Sequence, residues 1–205
     1  MVHGYHVILT AYGFWLPNDP RGSWSDFVGA WELARFGKAT KSFERQVLTE
    51  ESEKLRESAK KSLKYSPVQF SGIQARAIAR GFAQACLKNR YTLWACAILP
   101  EHTHVVIARH HYKVEYVANL LKGAATKQFI RETLHPLESS ASDNQRPHSP
   151  WAQGQWKVFL DDEEAIDNAI RYVEQNPSKE GKPAQRWEFV QPFRGLEKSG
   201  WVTYL

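Results

Sequence analysis

The sequence predicts an α+β fold, an antiparallel sheet with helices packed on it. Short runs rich in β-branched and aromatic residues alternate along the chain with amphipathic stretches at helical spacing. Two of the extended runs, 91–99 and 104–109, are separated only by a short break around Pro100, and so close a connection demands antiparallel pairing. Helices separated by strands that pair as hairpins imply a layered sandwich.

Each element has its own warrant. Residues 5–11, beginning Tyr5-His6-Val7-Ile8, read as a first strand. Residues 13–24 are crowded with Pro, Gly, Asn and Asp and form a structured loop that carries Trp15, Arg21 and Trp24. The stretch 30–65 is charged and weakly periodic, with nine Lys or Arg from Arg35 to Lys64 against five Glu. It reads as a partly helical insertion lying on the surface. Ile73, Ala77, Ile78, Phe82 and Ala85 recur at helical spacing and give a helix over 71–89. A second strand covers 91–99 and a third 104–109, with His102 in the connection. The next helix spans 114–131, with Val117, Leu120, Leu121, Ala124 and Ala125 inward and Lys122, Lys127 and Arg131 outward. The Ser- and Pro-rich stretch 137–150 is a polar linker, and 155–160 a fourth strand. A last helix opens with Asp161 as cap and Glu164 three residues on, and stops at 175 or 176 before Pro177. These elements make one domain over 1–190, with insertions at 30–65 and 137–150 and a tail at 191–205.

Composition narrows the function classes. At 205 residues, 42% hydrophobic and 24% charged, the chain is long enough for one sizeable core. No apolar run approaches the roughly 20 residues that span a bilayer, so no membrane partner is expected. Cys86 and Cys96 form no CxxC pair, which argues against a disulfide framework or a thiolate zinc site and for a cytoplasmic protein. The net charge of +5 and pI near 9.2 are compatible with a phosphate-bearing partner. Eight Trp, eight Tyr and ten Phe accompany that charge. Aromatic rings interleaved with cations suit unpaired bases, although any one ring is as well explained as core.

The chemistry concentrates at His102-Thr103-His104. Side chains two apart on a strand share a face, so both imidazoles emerge side by side next to the apolar Val105, Val106 and Ile107. Two polar rings there are costly unless something binds them, and a divalent metal is the simplest candidate. In the last helix Ile166, Ala169, Ile170 and Val173 make the core stripe. At about 100° per residue, Tyr172 and Asn176 fall one turn apart on its flank, while Gln175 points outward.

In this order and at this distance, His102-Thr-His104 and Tyr172-Val-Glu-Gln-Asn176-Pro177 resemble the single-tyrosine transposases of the HUH superfamily. More narrowly they are similar to the REP-associated branch, in which a Tyr-x-x-x-Asn-Pro motif closes the last helix. The Tyr5-His6-Val7 strand, the Trp-Leu-Pro-Asn-Asp-Pro-Arg-Gly loop, the helix around Leu121–Phe129 and residues 151–156 fit the same pattern. The resemblance runs from Tyr5 to Trp187 and implies a ferredoxin-like, HUH-type sandwich. Two departures stand out: Thr103 replaces a residue that is usually bulky and hydrophobic, and Glu174 stands where many relatives carry histidine.

The resemblance implies that His102, His104 and Asn176 hold Mg²⁺ or Mn²⁺ and that Tyr172 attacks a phosphodiester. It implies a 5′-phosphotyrosine intermediate on single-stranded hairpin DNA, in a protein that is a monomer or a homodimer. Trp15, Arg21, Trp24, Lys122, Lys127, Arg131, Lys179 and Lys182 are the candidate nucleic-acid contacts, each cation alone being equally an ordinary exposed charge. The alternatives are a nuclease that uses water in place of Tyr172, and a domesticated hairpin-binding protein without transposition activity.

Overall fold

The structure is a computed structural model and describes residues 1–14, 16, 49–138 and 146–196. Trp15, Arg21 and Trp24 therefore lie outside the described residues. In chain order the elements are β1 (Gly4–Thr10), α1 (Glu50–Lys61), α2 (Gly72–Asn89), β2 (Leu93–Ile98), β3 (His102–Ala108), α3 (Val114–Arg131), β4 (Trp156–Leu160) and α4 (Glu163–Lys179). The strands form one antiparallel sheet in the order β2-β3-β1-β4, which puts β3 and β1 at its centre. The α+β class read from the sequence is the class observed.

Strand alternation sends two sets of side chains to two layers. Val7, Leu9, Val105, Ile107, Leu93, Cys96 and Ile98 meet α2 and α3 on one face. Trp94, Ala95, Ala97, Val106 and Leu160 meet Ile166, Ala169 and Val173 of α4 on the other. A bulge between Leu93 and Ala95 lets Trp94 and Ala95 both join the α4 side. Helices α2 and α3 approach so closely that a Cβ on Gly81 would sit 2.7 Å from the Ala125 Cα. Ser71 caps α2 through a complete capping box with Gln74. Helix α1 lies within the charged insertion and buries only Ala59.

Several local expectations change. His102 opens β3 and is not in the connection before it. Ile73 is exposed, since it precedes the first turn of α2 that meets the sheet. Lys122, expected outward, is buried: its ammonium donates to the backbone carbonyls of Ala152 and Gly154, which fold over that side of α3. Asp162 caps α4 in place of Asp161, accepting from the Ala165 N–H at 2.7 Å, so there is no capping box. Pro177 does not end α4. It forfeits one hydrogen bond in the last turn, and the Glu180 N–H closes that turn on the carbonyls of Asn176 and Pro177. Beyond the helix, Val190 bridges Leu93 and the Phe193 ring packs 4.8 Å from that of Trp94, so the start of the expected tail is fastened to the sheet edge.

Candidate active site on the α4 face

The site is assembled by sheet register. His104 lies opposite Ile8, and His102 opposite Thr10, on the neighbouring central strand β1. Both imidazoles point to the α4 side, as the two-residue period requires. They are buried, with ring centroids 4.7 Å apart. A third ring joins them: His6, opposite Val106, reaches diagonally to His104, with Nε2 to Nδ1 at 2.9 Å.

Helix α4 lays the rest of the site across this row. Tyr172 places its ring 5.6 Å from His104 and 5.7 Å from His6, yet remains 45% exposed. A nucleophile needs that combination of contact with the site and access to a large substrate. Asn176, one turn later, is buried on the same helix face. Because α4 runs through Pro177, it carries two more groups into the neighbourhood. The Lys179 ammonium stands 5.1 Å from the Tyr172 ring centroid, and a Glu180 carboxylate oxygen stands 3.7 Å from His102 Nε2. A helix stopping at Asn176 would deliver neither.

Burial disfavours the protonated form of two of these histidines. Desolvation pushes His6 down to about 4. Desolvation, with the neighbouring His102 and His6 rings adding to it, holds His104 well below the ordinary histidine range. Neutral imidazole is the form that ligates a metal, and burial favours that form at His104. Among the described residues no three His, Cys, Asp or Glu side chains are arranged to hold an ion. Any third donor would come from outside those residue types, and Asn176, buried on the sheet-facing side of α4, carries a carboxamide. Two imidazoles with an amide oxygen suit a divalent cation, and the residue types fit such a group.

The expected nucleic-acid contacts separate into two sets. Lys179, the last residue of α4, stands over the Tyr172 ring and Lys182 follows beyond the helix; both are exposed. Lys127 and Arg131 are exposed on α3, in the layer across the sheet, where Arg131 donates to Gln128 and Gln84. Lys122 is not available to a ligand. Thr103 also faces the α2–α3 layer, fully buried between Leu9 and Ile98 across the strands. It supports the histidine strand from behind and does not touch the site.

His6 and Glu180 are the site neighbours that sequence reasoning missed. His6 sits at a period-two position of a strand assigned in the sequence, but its partner lies 98 residues away. Glu180 became visible only once α4 continued past its proline.

No family model and no curated protein matches this chain. Among solved structures it is similar to a REP-associated tyrosine transposase bound to a REP hairpin, with a TM-score of 0.45 and 11% identity, covering 87% of this chain and 68% of that one. It is similar also to a protein from Deinococcus radiodurans R1 with a provisional description as a transposase, with a TM-score of 0.36 and 14% identity, covering 85% and 91% of the two chains. Likeness at these values leaves function to be read from the site residues themselves.

Proposed function

We propose that this protein cleaves and rejoins single-stranded hairpin DNA in the manner of a metal-dependent tyrosine transposase, acting in transposition or repeat mobilisation in the cytoplasm. One observation carries the reading: the exposed Tyr172 ring stands 5.6 Å from the buried His104, on the face that also gathers His102 and Asn176. The motif resemblance supports it, and the Tyr172 ring stands beside the histidine pair with which the sequence grouped it.

His102, His104 and Asn176 would hold Mg²⁺ or Mn²⁺, which supplies Lewis-acid polarisation of a phosphodiester when bound. The chain's own residues do the rest. The Tyr172 oxygen attacks phosphorus, forming a phosphotyrosine ester as the bond to the 3′ oxygen breaks. The phenol proton is given up and the departing oxygen takes one, so the products are a 5′-phosphotyrosine and a 3′-hydroxyl. Attack by another 3′-hydroxyl reverses the step and releases Tyr172. Bond energy is conserved in the ester, so no nucleotide cofactor is needed. Lys179, beside the Tyr172 ring, can meet a phosphate oxygen. Lys182 extends that positive edge. A substrate with unpaired strands is required, because a duplex cannot present one strand to a site set between a sheet and a helix.

Incubating the protein with Mn²⁺ and labelled single-stranded hairpin DNA from beside its own gene tests this. A denaturant-stable protein–DNA adduct is expected, lost in Tyr172→Phe, with DNA still bound by His102→Ala. Cleavage by Tyr172→Phe at the native rate would show that water is the nucleophile. Tight hairpin binding by the native protein with no cleavage under any metal would support the domesticated binding protein.

A further inference from the structure

We propose that His6 is the positioning residue of the metal site: it accepts the His104 Nδ1–H and thereby keeps the His104 Nε2 lone pair available to a divalent cation. This inference rests on the metal-dependent reading above.

The geometry begins with the register. His6 and His104 lie two residues out of direct opposition on β1 and β3, on the same face, and long or aromatic side chains bridge such diagonals. The nitrogens meet at 2.9 Å, a full hydrogen bond. A hydrogen bond between two imidazole nitrogens needs an N–H on one and a lone pair on the other.

Only two arrangements satisfy that contact. In one, His6 Nε2–H donates to His104 Nδ1; His104 then carries its proton on Nε2 and has no lone pair left for a metal. In the other, His104 Nδ1–H donates to His6 Nε2, and His104 Nε2 is open. Metal binding through His104 requires the second arrangement. A ligating imidazole generally has its other nitrogen fixed by such an outer partner. Here that partner is another imidazole, from the opposite strand.

His6 has a second neighbour. Its ring is 5.7 Å from Tyr172, nearly the separation of Tyr172 from His104. One side chain therefore touches both the ligand and the nucleophile, and fixes the ring against which Tyr172 rests.

The test combines Mn²⁺ titration followed by electron paramagnetic resonance with ¹⁵N-histidine NMR of the full chain, with and without Mg²⁺. In the native protein His104 should show the Nδ1–H tautomer when Mg²⁺ is present. His6→Phe should weaken Mn²⁺ affinity by about 10- to 100-fold and lose that tautomer pattern. His6→Gln, whose carbonyl can accept the same N–H, should recover most of the affinity. Native His104 found as the Nε2–H tautomer with Mg²⁺ overturns the proposal without any variant. Equal Mn²⁺ affinity in folded His6→Phe also overturns it, as does a loss in His6→Gln as large as in His6→Phe. Native protein that takes up no Mn²⁺ contradicts the metal-dependent reading instead, and the metal-free spectra still decide whether His6 sets the tautomer.

Discussion

His6 Nε2 stands 2.9 Å from His104 Nδ1, although 98 residues separate them in the chain. The contact ties the first strand to the strand of the histidine pair at the point where Tyr172 crosses both rings. The candidate site is therefore a property of the sheet register as much as of any motif.

Asn176 should matter to metal binding in a way that its neighbour does not. It is buried on the histidine side, whereas Gln175 is exposed. Asn176→Leu keeps the branched shape and removes the amide oxygen. Mn²⁺ affinity should fall by roughly 10-fold or more, since a lost ligand costs no less than a lost outer partner. Gln175→Leu should leave it unchanged. Calorimetric titration of both variants checks this, and equal affinities would remove Asn176 from the ligand set.

Lys179 should act on chemistry more than on metal. Its ammonium sits over the Tyr172 ring, so Lys179→Gln withdraws a cation from the nucleophile while leaving the histidines untouched. Adduct formation at saturating DNA should slow by about 2- to 5-fold, matching the 0.5–1 kcal/mol of an exposed cation–ring contact. Mn²⁺ affinity should not change. Single-turnover kinetics separate this from weaker DNA binding.

Lys122 gives a pH signature of the fold. Burial pushes its ammonium down to about 8 from the ordinary 10.5. Between those values the unfolded chain holds the proton that the folded chain has released, so stability rises with pH through that window. Below about 8 both states are protonated and the cost of burying the charge is felt in full. Lys122→Met should remove this slope, read as the difference between native and variant urea melts from pH 8 to 10. The same variant frees the turn held at Ala152 and Gly154, so hydrogen exchange there should quicken.

Thr103 is fully buried and, among the described residues, its hydroxyl has no hydrogen-bond partner. Thr103→Val replaces that hydroxyl by a methyl of similar size. It should stabilise the protein by about 1 kcal/mol, raising Tm by roughly 2–4 °C. Because Thr103 faces α2 and α3, the substitution should leave Mn²⁺ affinity as it was. A lower Tm would mean that the hydroxyl is satisfied in solution.

The helices α2 and α3 and the shared face of His102 and His104 were legible in the sequence, because each follows from a local period of apolar residues. The bounds of α3 match the expectation, since Val114 and Arg131 delimit an uninterrupted amphipathic pattern. What escaped depends on contacts distant in sequence. Lys122 looks like a surface cation by helical phase, and only the turn at residues 152–154 buries it. His6 needs the β1–β3 register to find His104. Two adjacent aspartates, Asp161 and Asp162, offer equivalent caps, and tertiary packing selects the second. Pro177 shows the reverse limit: its missing N–H costs little in a last turn closed by Glu180, and that turn brings Lys179 and Glu180 to the site.

The central claim is that Tyr172 becomes covalently joined to DNA. Tryptic mapping by mass spectrometry, after reaction with Mn²⁺ and a single-stranded hairpin, tests it most directly. The account predicts a nucleotide-phosphate adduct on the peptide containing Tyr172 and on no other tyrosine peptide, absent when Mn²⁺ is withheld. Cleaved DNA with an unmodified Tyr172 peptide, or an adduct on another tyrosine, would contradict it.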